Sequence, residues 1–122
     1  VARARLERFL ATAPRPASGW WIWIHHVPPN GSPIAWTGHQ HAGDDLLPVL
    51  IGLYRPDLVV CGHVHDAPFR EGGAWIDRLD GTIVVNPGRQ LGALPAIIEL
   101  DLDSGKLAWT SLAGTVEASM SP

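Results

Sequence analysis

Cysteine occurs once in this 122-residue sequence, at Cys61. A lone cysteine closes no internal disulfide, so a disulfide framework is excluded and nothing points to an oxidising compartment. Charge is sparse, at 17 % of residues, and the net charge is −3 with histidine neutral. That balance lacks both the basic footprint of a nucleic-acid binder and a polybasic patch for anionic membranes. Long apolar runs are missing too, because histidine, proline or glycine interrupts each one well short of the ~20 residues a membrane span needs. There is no Gly-x-Ser-x-Gly turn and no glycine-rich loop ending in Gly-Lys-Ser/Thr, so neither a serine-hydrolase elbow nor a phosphate loop is present. The chain opens Val1-Ala2-Arg3-Ala4-Arg5-Leu6-Glu7, inside an amphipathic pattern and with no signal-peptide core. These absences lead to the expectation of a cytoplasmic domain, cut from a longer chain, with no nucleic-acid or membrane partner.

What is present suits a folded domain. Apolar residues make up 46 %, enough to bury a core. Four of the six tryptophans fall between Trp20 and Trp36. Leu6, Phe9 and Leu10 lie at i, i+3, i+4 and predict a helix to about residue 12, stopped by Pro14 and Pro16. Trp20-Trp21-Ile22-Trp23-Ile24 reads as a strand buried on both faces. It runs into His25-His26-Val27-Pro28-Pro29-Asn30-Gly31, whose prolines and Asn-Gly make a loop. Asp44 or Asp45 is placed to cap a helix over Leu46–Tyr54, with Pro48 in its first turn. Asp57–Cys61 is a second buried strand, followed at once by Gly62-His63-Val64-His65. Strand, helix, strand predicts a βαβ unit with a parallel pair. Further on, Leu79-Asp80-Gly81 and Asp103-Ser104-Gly105 mark two hairpins. Residues 1–115 read as one domain portion and 116–122 as a flexible tail.

The position of the histidines carries the chemistry. His26 and His63 each follow a predicted strand, and in a parallel pair those strand ends share one edge of the sheet. If the backbone stays extended past His63, His65 points to the same side. Three imidazoles at one edge are a candidate set of transition-metal ligands. The plainer alternative is that each is an ordinary hydrogen-bonded loop residue. His25 reads as a neighbour of the site rather than a ligand. His39 and His41 either line a substrate entrance or belong to a solvated loop, and Cys61 reads as a small buried strand residue.

His26-Val27-Pro28-Pro29, then Gly62-His63-Val64-His65, then Asn86-Pro87-Gly88 resembles the last motifs of the calcineurin-like metallophosphoesterases. The resemblance covers about Trp20 to Leu102. It implies an α/β fold, the C-terminal half of a β-sandwich flanked by helices, four-layered α/β/β/α in the intact family. It also implies His26 and His63 as ligands of one metal and His65 of another. His26 is preferred over His25 because the motif is His-x-Pro. The cofactors implied are two divalent or trivalent transition-metal ions, with Mn, Fe, Zn, Co and Ni all compatible with such ligands. The implied reaction is hydrolysis of a small-molecule phosphomonoester or phosphodiester by a hydroxide activated between the two metals. The family's Asp-x-His, Gly-Asp-x-x-Asp and Gly-Asn-His-Asp motifs are absent from these 122 residues. No catalytic residue is therefore assigned, and the chain is expected to be a fragment lacking the acidic half of its site. Arg89, just past Asn86-Pro87-Gly88, is a candidate for contacting a substrate phosphate, and His41 a second substrate-side candidate. Trp36 and Trp75 suit an organic-group pocket or plain packing.

Two rivals stand beside this. One is a small cupin-like barrel holding a single metal through His63, His65 and Glu71, although the spacing to Glu71 is long and a helix at 44–55 fits a barrel poorly. The other is a half-domain whose site never becomes complete.

Overall fold

The structure is a computed structural model and describes residues 2–120. It contains, in order, α1 (Ala2–Thr12), β1 (Ile22–Ile24), α2 (Leu46–Tyr54), β2 (Leu58–Val60), β3 (Ile76–Leu79), β4 (Thr82–Val85), β5 (Ile97–Asp101), β6 (Lys106–Ser111) and β7 (Gly114–Ser119). Single 3₁₀ turns occur at Pro33–Ala35 and Ala67–Phe69. The strands form two sheets, one ordered β1-β2-β4-β3 and one ordered β5-β6-β7. In the first, β1, β2 and β4 run parallel and β3 is antiparallel to β4. The mixed α/β architecture is the one the sequence leads to.

Alternation along the central strands sorts two cores. On β2 and β4, Leu58, Ile83 and Val85 face the second sheet and meet Leu107, Trp109 and Met120. Val59, Cys61 and Val84 face the other way, against Leu47, Ile51 and Ile34. Successive side chains of a strand point to opposite faces, so strands buried on both sides read as unbroken apolar runs. Each fully buried aliphatic side chain contributes about 1.5–3 kcal/mol. The layers are therefore helix, sheet and sheet.

Local signals place the elements. Asp44 Oδ1 accepts the Leu46 N–H at 3.0 Å, which satisfies one orphan donor at the start of α2. Arg55 closes that helix in the left-handed region, at φ 50. Asp80 and Gly81, at φ 50 and 82, form the two-residue turn between β3 and β4, as a type I′ hairpin requires.

Three expectations are corrected. β1 is not a centre strand buried on both faces. It has β2 as its one described neighbour, and Ile24 at its end is 87 % exposed. Apolar residues of α1 and β1, together with Leu47 and Leu50, line a shallow groove there. The flexible tail expected from residue 116 does not describe residues 116–119, which pair with β6 in β7 from Val116↔Trp109 to Ser119↔Lys106. Small polar residues suggest a tail, but an edge strand with one solvated face tolerates them. Met120 is buried, and residues 121–122 of that expected tail lie outside the described residues. Finally, no small barrel closes among the described residues, since their strands divide into two separate sheets.

Candidate metal and phosphate site

The parallel register brings the histidine loops together. Ile24 pairs with Val60, and Val60 with Val85, so all three strands end level with one another. The chain leaves β1 into His25-His26, β2 into Cys61-Gly62-His63, and β4 into Asn86-Pro87-Gly88. The His25 N–H donates to the Val60 carbonyl at 2.9 Å and the Gly62 N–H to the His26 carbonyl at 2.8 Å. These bonds carry the pairing past the strand ends and hold the two histidine loops side by side.

His26, His63 and His65 all line one cavity of about 420 Å³, walled on its far side by residues 86–90 and 92–95. The His26 and His63 rings stand 5.3 Å apart, centre to centre, at 77°. A second recess, lined by Thr37, Ala42 and Asp66, lies across the same His63-Val64-His65 turn. The turn is not extended, contrary to the reading of His-x-His. His63 has φ 62, and the Val64 N–H donates to the Gly62 carbonyl at 2.7 Å. That is a three-residue turn with a non-glycine residue in the left-handed region, a strained arrangement of the kind that clusters at functional sites. Val64 is buried beneath it, while His63 and His65 are exposed.

The other sequence candidates fall as follows. Arg89 lines the histidine cavity, and its N–H donates to the His65 carbonyl at 2.9 Å. His41 lines neither recess and packs against Trp36 at 5.0 Å. His25 turns away from the cavity. Its Nδ1 lies 2.8 Å from the Val27 carbonyl and its Nε2 lies 3.5 Å from Asp44. Glu71 lies outside the cavity, its carbonyl bonded by the Trp36 indole N–H, so the three-residue set a cupin-like centre needs is not assembled. Trp75 is packing, stacked at 5.9 Å on Trp109. Cys61 lies beneath the site, and burial pushes its thiol up to about 12.

Sequence reasoning passed over Asn86. It is fully buried, and its side chain bonds the Val64 and Ile34 carbonyls. The available signal was Asn before Pro-Gly, a turn signature in which the side-chain oxygen accepts a following N–H. Gly88 supplies that N–H, at 2.9 Å.

The donor set fits part of a metal centre. Two imidazoles whose nitrogens each stand ~2.1 Å from one ion have ring centres roughly 5 Å apart, close to the His26–His63 separation. No lining residue of the cavity is acidic. Among the described residues no group of three or more His, Cys, Asp or Glu side chains is gathered closely enough to hold an ion alone. The histidine cavity thus offers imidazoles and no carboxylate. No helix among the described residues is long and apolar enough to cross a membrane.

No curated protein matches the sequence. One solved structure matches over 98 % of this chain at 22 % identity, with a TM-score of 0.57. This chain spans 40 % of the length of that solved chain, and the likeness establishes a shared fold. A family model described as metallophosphoesterase, calcineurin superfamily, matches residues 15–102. That match covers well over half of the sequence and all three histidine-bearing or Asn-Pro-Gly loops, and the chain belongs to the calcineurin superfamily of metallophosphoesterases.

Proposed function

We propose that this chain supplies the histidine side of a metal-dependent phosphoesterase site acting on small-molecule phosphate esters. The observation that carries the reading is the convergence of His26, His63 and His65, from the ends of two parallel strands, on one cavity that Arg89 also lines. His26 and His63 would share one ion, and His65 would serve a second. Carboxylate ligands come from a segment other than residues 2–120. Transition-metal ions held there would neutralise phosphate charge and activate water.

The chain's own residues do the rest. The Arg89 guanidinium presents fixed donors to the phosphate oxygens, a planar and permanently charged match. The two recesses on either side of His63 and His65 leave room for groups on both sides of a phosphorus atom, so monoesters and diesters are both admitted.

The test is metal uptake together with hydrolysis of an aryl phosphate and an aryl phosphodiester. It is run on this chain and on a longer chain that carries the upstream aspartate motifs. The reading expects about two ions and turnover in the longer chain, both lost in His63→Ala. One tightly bound ion in this chain alone, unchanged by His26→Ala, would sink it.

A further inference from the structure

One side chain joins the parts of the histidine cavity. Asn86 is 0 % exposed. Its Nδ2 group donates to the Val64 carbonyl at 2.7 Å and to the Ile34 carbonyl at 3.0 Å. Its Oδ1 accepts the Gly88 N–H at 2.9 Å. Its own backbone N–H donates to the Trp75 carbonyl at 2.8 Å. Three segments therefore meet on one side-chain amide, the 3₁₀ turn at Pro33–Ala35, the histidine turn and the loop that carries Arg89, while the backbone N–H ties in Trp75, just before β3.

The chemistry of the position admits few substitutes. A primary amide has two N–H donors and a carbonyl acceptor on one short stem, and all three are used. Aspartate has the shape and neither donor. Leucine has the volume and would leave three backbone groups buried without partners. Serine has a single donor.

The histidine turn is where this bears on function. His63 sits at φ 62, a conformation that persists in a non-glycine residue only where its surroundings over-determine it. The Val64 carbonyl lies between the two exposed histidines. Among the described residues, Asn86 is the side chain that hydrogen-bonds it. On the other side, the Gly88 N–H held by Asn86 precedes Arg89, whose N–H bonds the His65 carbonyl. The same amide thus fixes both walls of the cavity.

We propose that Asn86 is the positioning residue of this site, holding the strained His63 turn and setting it against the Arg89 loop. Its importance for metal binding rests on the ligand reading above. Its hold on the turn does not.

The experiment uses the ¹⁵N-labelled chain and Asn86→Asp, which keeps the side-chain shape and removes both donors. In the unsubstituted chain, the Asn86 side-chain amide protons exchange at least about 100-fold more slowly than those of exposed Gln40, because both are bonded and buried. In Asn86→Asp, the His63 and His65 ring signals shift and the Val64 and Arg89 amides exchange at least about tenfold faster. Amides of the β5-β6-β7 sheet keep their rates. In the longer chain that carries the aspartate motifs, the same substitution raises the dissociation constant for Zn²⁺ alone about 10- to 100-fold, the usual effect of losing a residue that orients ligands. If Asn86→Asp shows no cooperative unfolding transition, the exchange measurement on the unsubstituted chain decides.

Asn86 amide protons that exchange as fast as those of Gln40 would overturn the proposal. So would unchanged His63 and His65 signals with unchanged zinc affinity in Asn86→Asp. A longer chain carrying the aspartate motifs that binds no zinc, while Asn86→Asp still loosens the turn, overturns the ligand reading and leaves the positioning role standing.

Discussion

Replacing Gly88 by alanine tests the closeness of the two loops that wall the cavity. Gly88 has φ +67, and a Cβ built there would stand 2.7 Å from the His65 carbonyl oxygen and from Cγ and Cδ of Pro68. Two costs follow. An L-residue in the left-handed region costs about 1–2 kcal/mol. The neighbours must also retreat from 2.7 Å towards the 3.4 Å of ordinary contact. Backbone oxygen and a proline ring yield poorly, so overpacking adds about 1–3 kcal/mol. The total is roughly 2–5 kcal/mol. Gly81 is the control. It sits at φ +82 with nothing within 4 Å of a built Cβ, so Gly81→Ala carries the backbone cost alone, about 1–2 kcal/mol. Urea unfolding followed by tryptophan fluorescence measures both. The strain should fall on the His65 carbonyl, so Gly88→Ala should also weaken zinc uptake while Gly81→Ala leaves it alone. If the two variants lie within about 0.5 kcal/mol of each other, inside the scatter of ordinary surface changes, the loops are not in contact as described and the argument fails.

Two further outcomes follow. His63→Gly should melt at or above His63→Ala, because glycine relieves the left-handed strain at φ 62 that alanine retains; both should lose zinc affinity, and an alanine variant the more stable by 1 kcal/mol or more, as a thermal melt reads it, would show the turn unstrained. Burial holds the Cys61 thiol at about 12, above its ordinary 9.0, so the folded chain keeps its proton where the unfolded chain loses it. Stability is then complete below about pH 9 and falls as pH rises towards 12, by at most about 1.4 kcal/mol per pH unit. Chemical denaturation across that range, with thiol labelling at pH 8 that proceeds only on unfolding, checks it.

The fold was legible wherever local pattern and packing agree. The unbroken apolar runs at Trp20–Ile24 and Leu58–Cys61, with a capped helix between them, are enough to place a parallel pair. Asp80-Gly81 announces its turn through the backbone angles it tolerates. Two things were hidden for physical reasons. The position of β1 at the sheet edge depends on which strands lie beside it, and a run of tryptophan and isoleucine looks the same with one neighbour as with two. The His63 turn was hidden because nothing in Gly62-His63-Val64-His65 states that a histidine takes a left-handed angle. The turn is held by Asn86, twenty-two residues beyond Val64, whose side chain bonds the Val64 carbonyl from the far side of β3 and β4. The edge on which the histidines meet was legible from strand ends alone. Asn86 as the residue that fixes them was not, because a buried amide and an exposed one are spelled alike.

The parallel order β1-β2-β4 also governs when a site can exist. Its pairings join residue 22 to 58 and residue 58 to 83, whereas β5, β6 and β7 follow one another through the turns at 102–105 and 112–113. Closing a long loop costs more chain entropy than closing a short one, and distant pairings form slowly. The meander can zip locally, but His26 meets His63 only after the distant pairing of β1 with β2, and the turn that aims His63 is locked only after β4 has delivered Asn86. Binding competence is therefore acquired at the end of folding, and a nascent chain that has made His65 but not yet β4 exposes its imidazoles without a cavity to put them in.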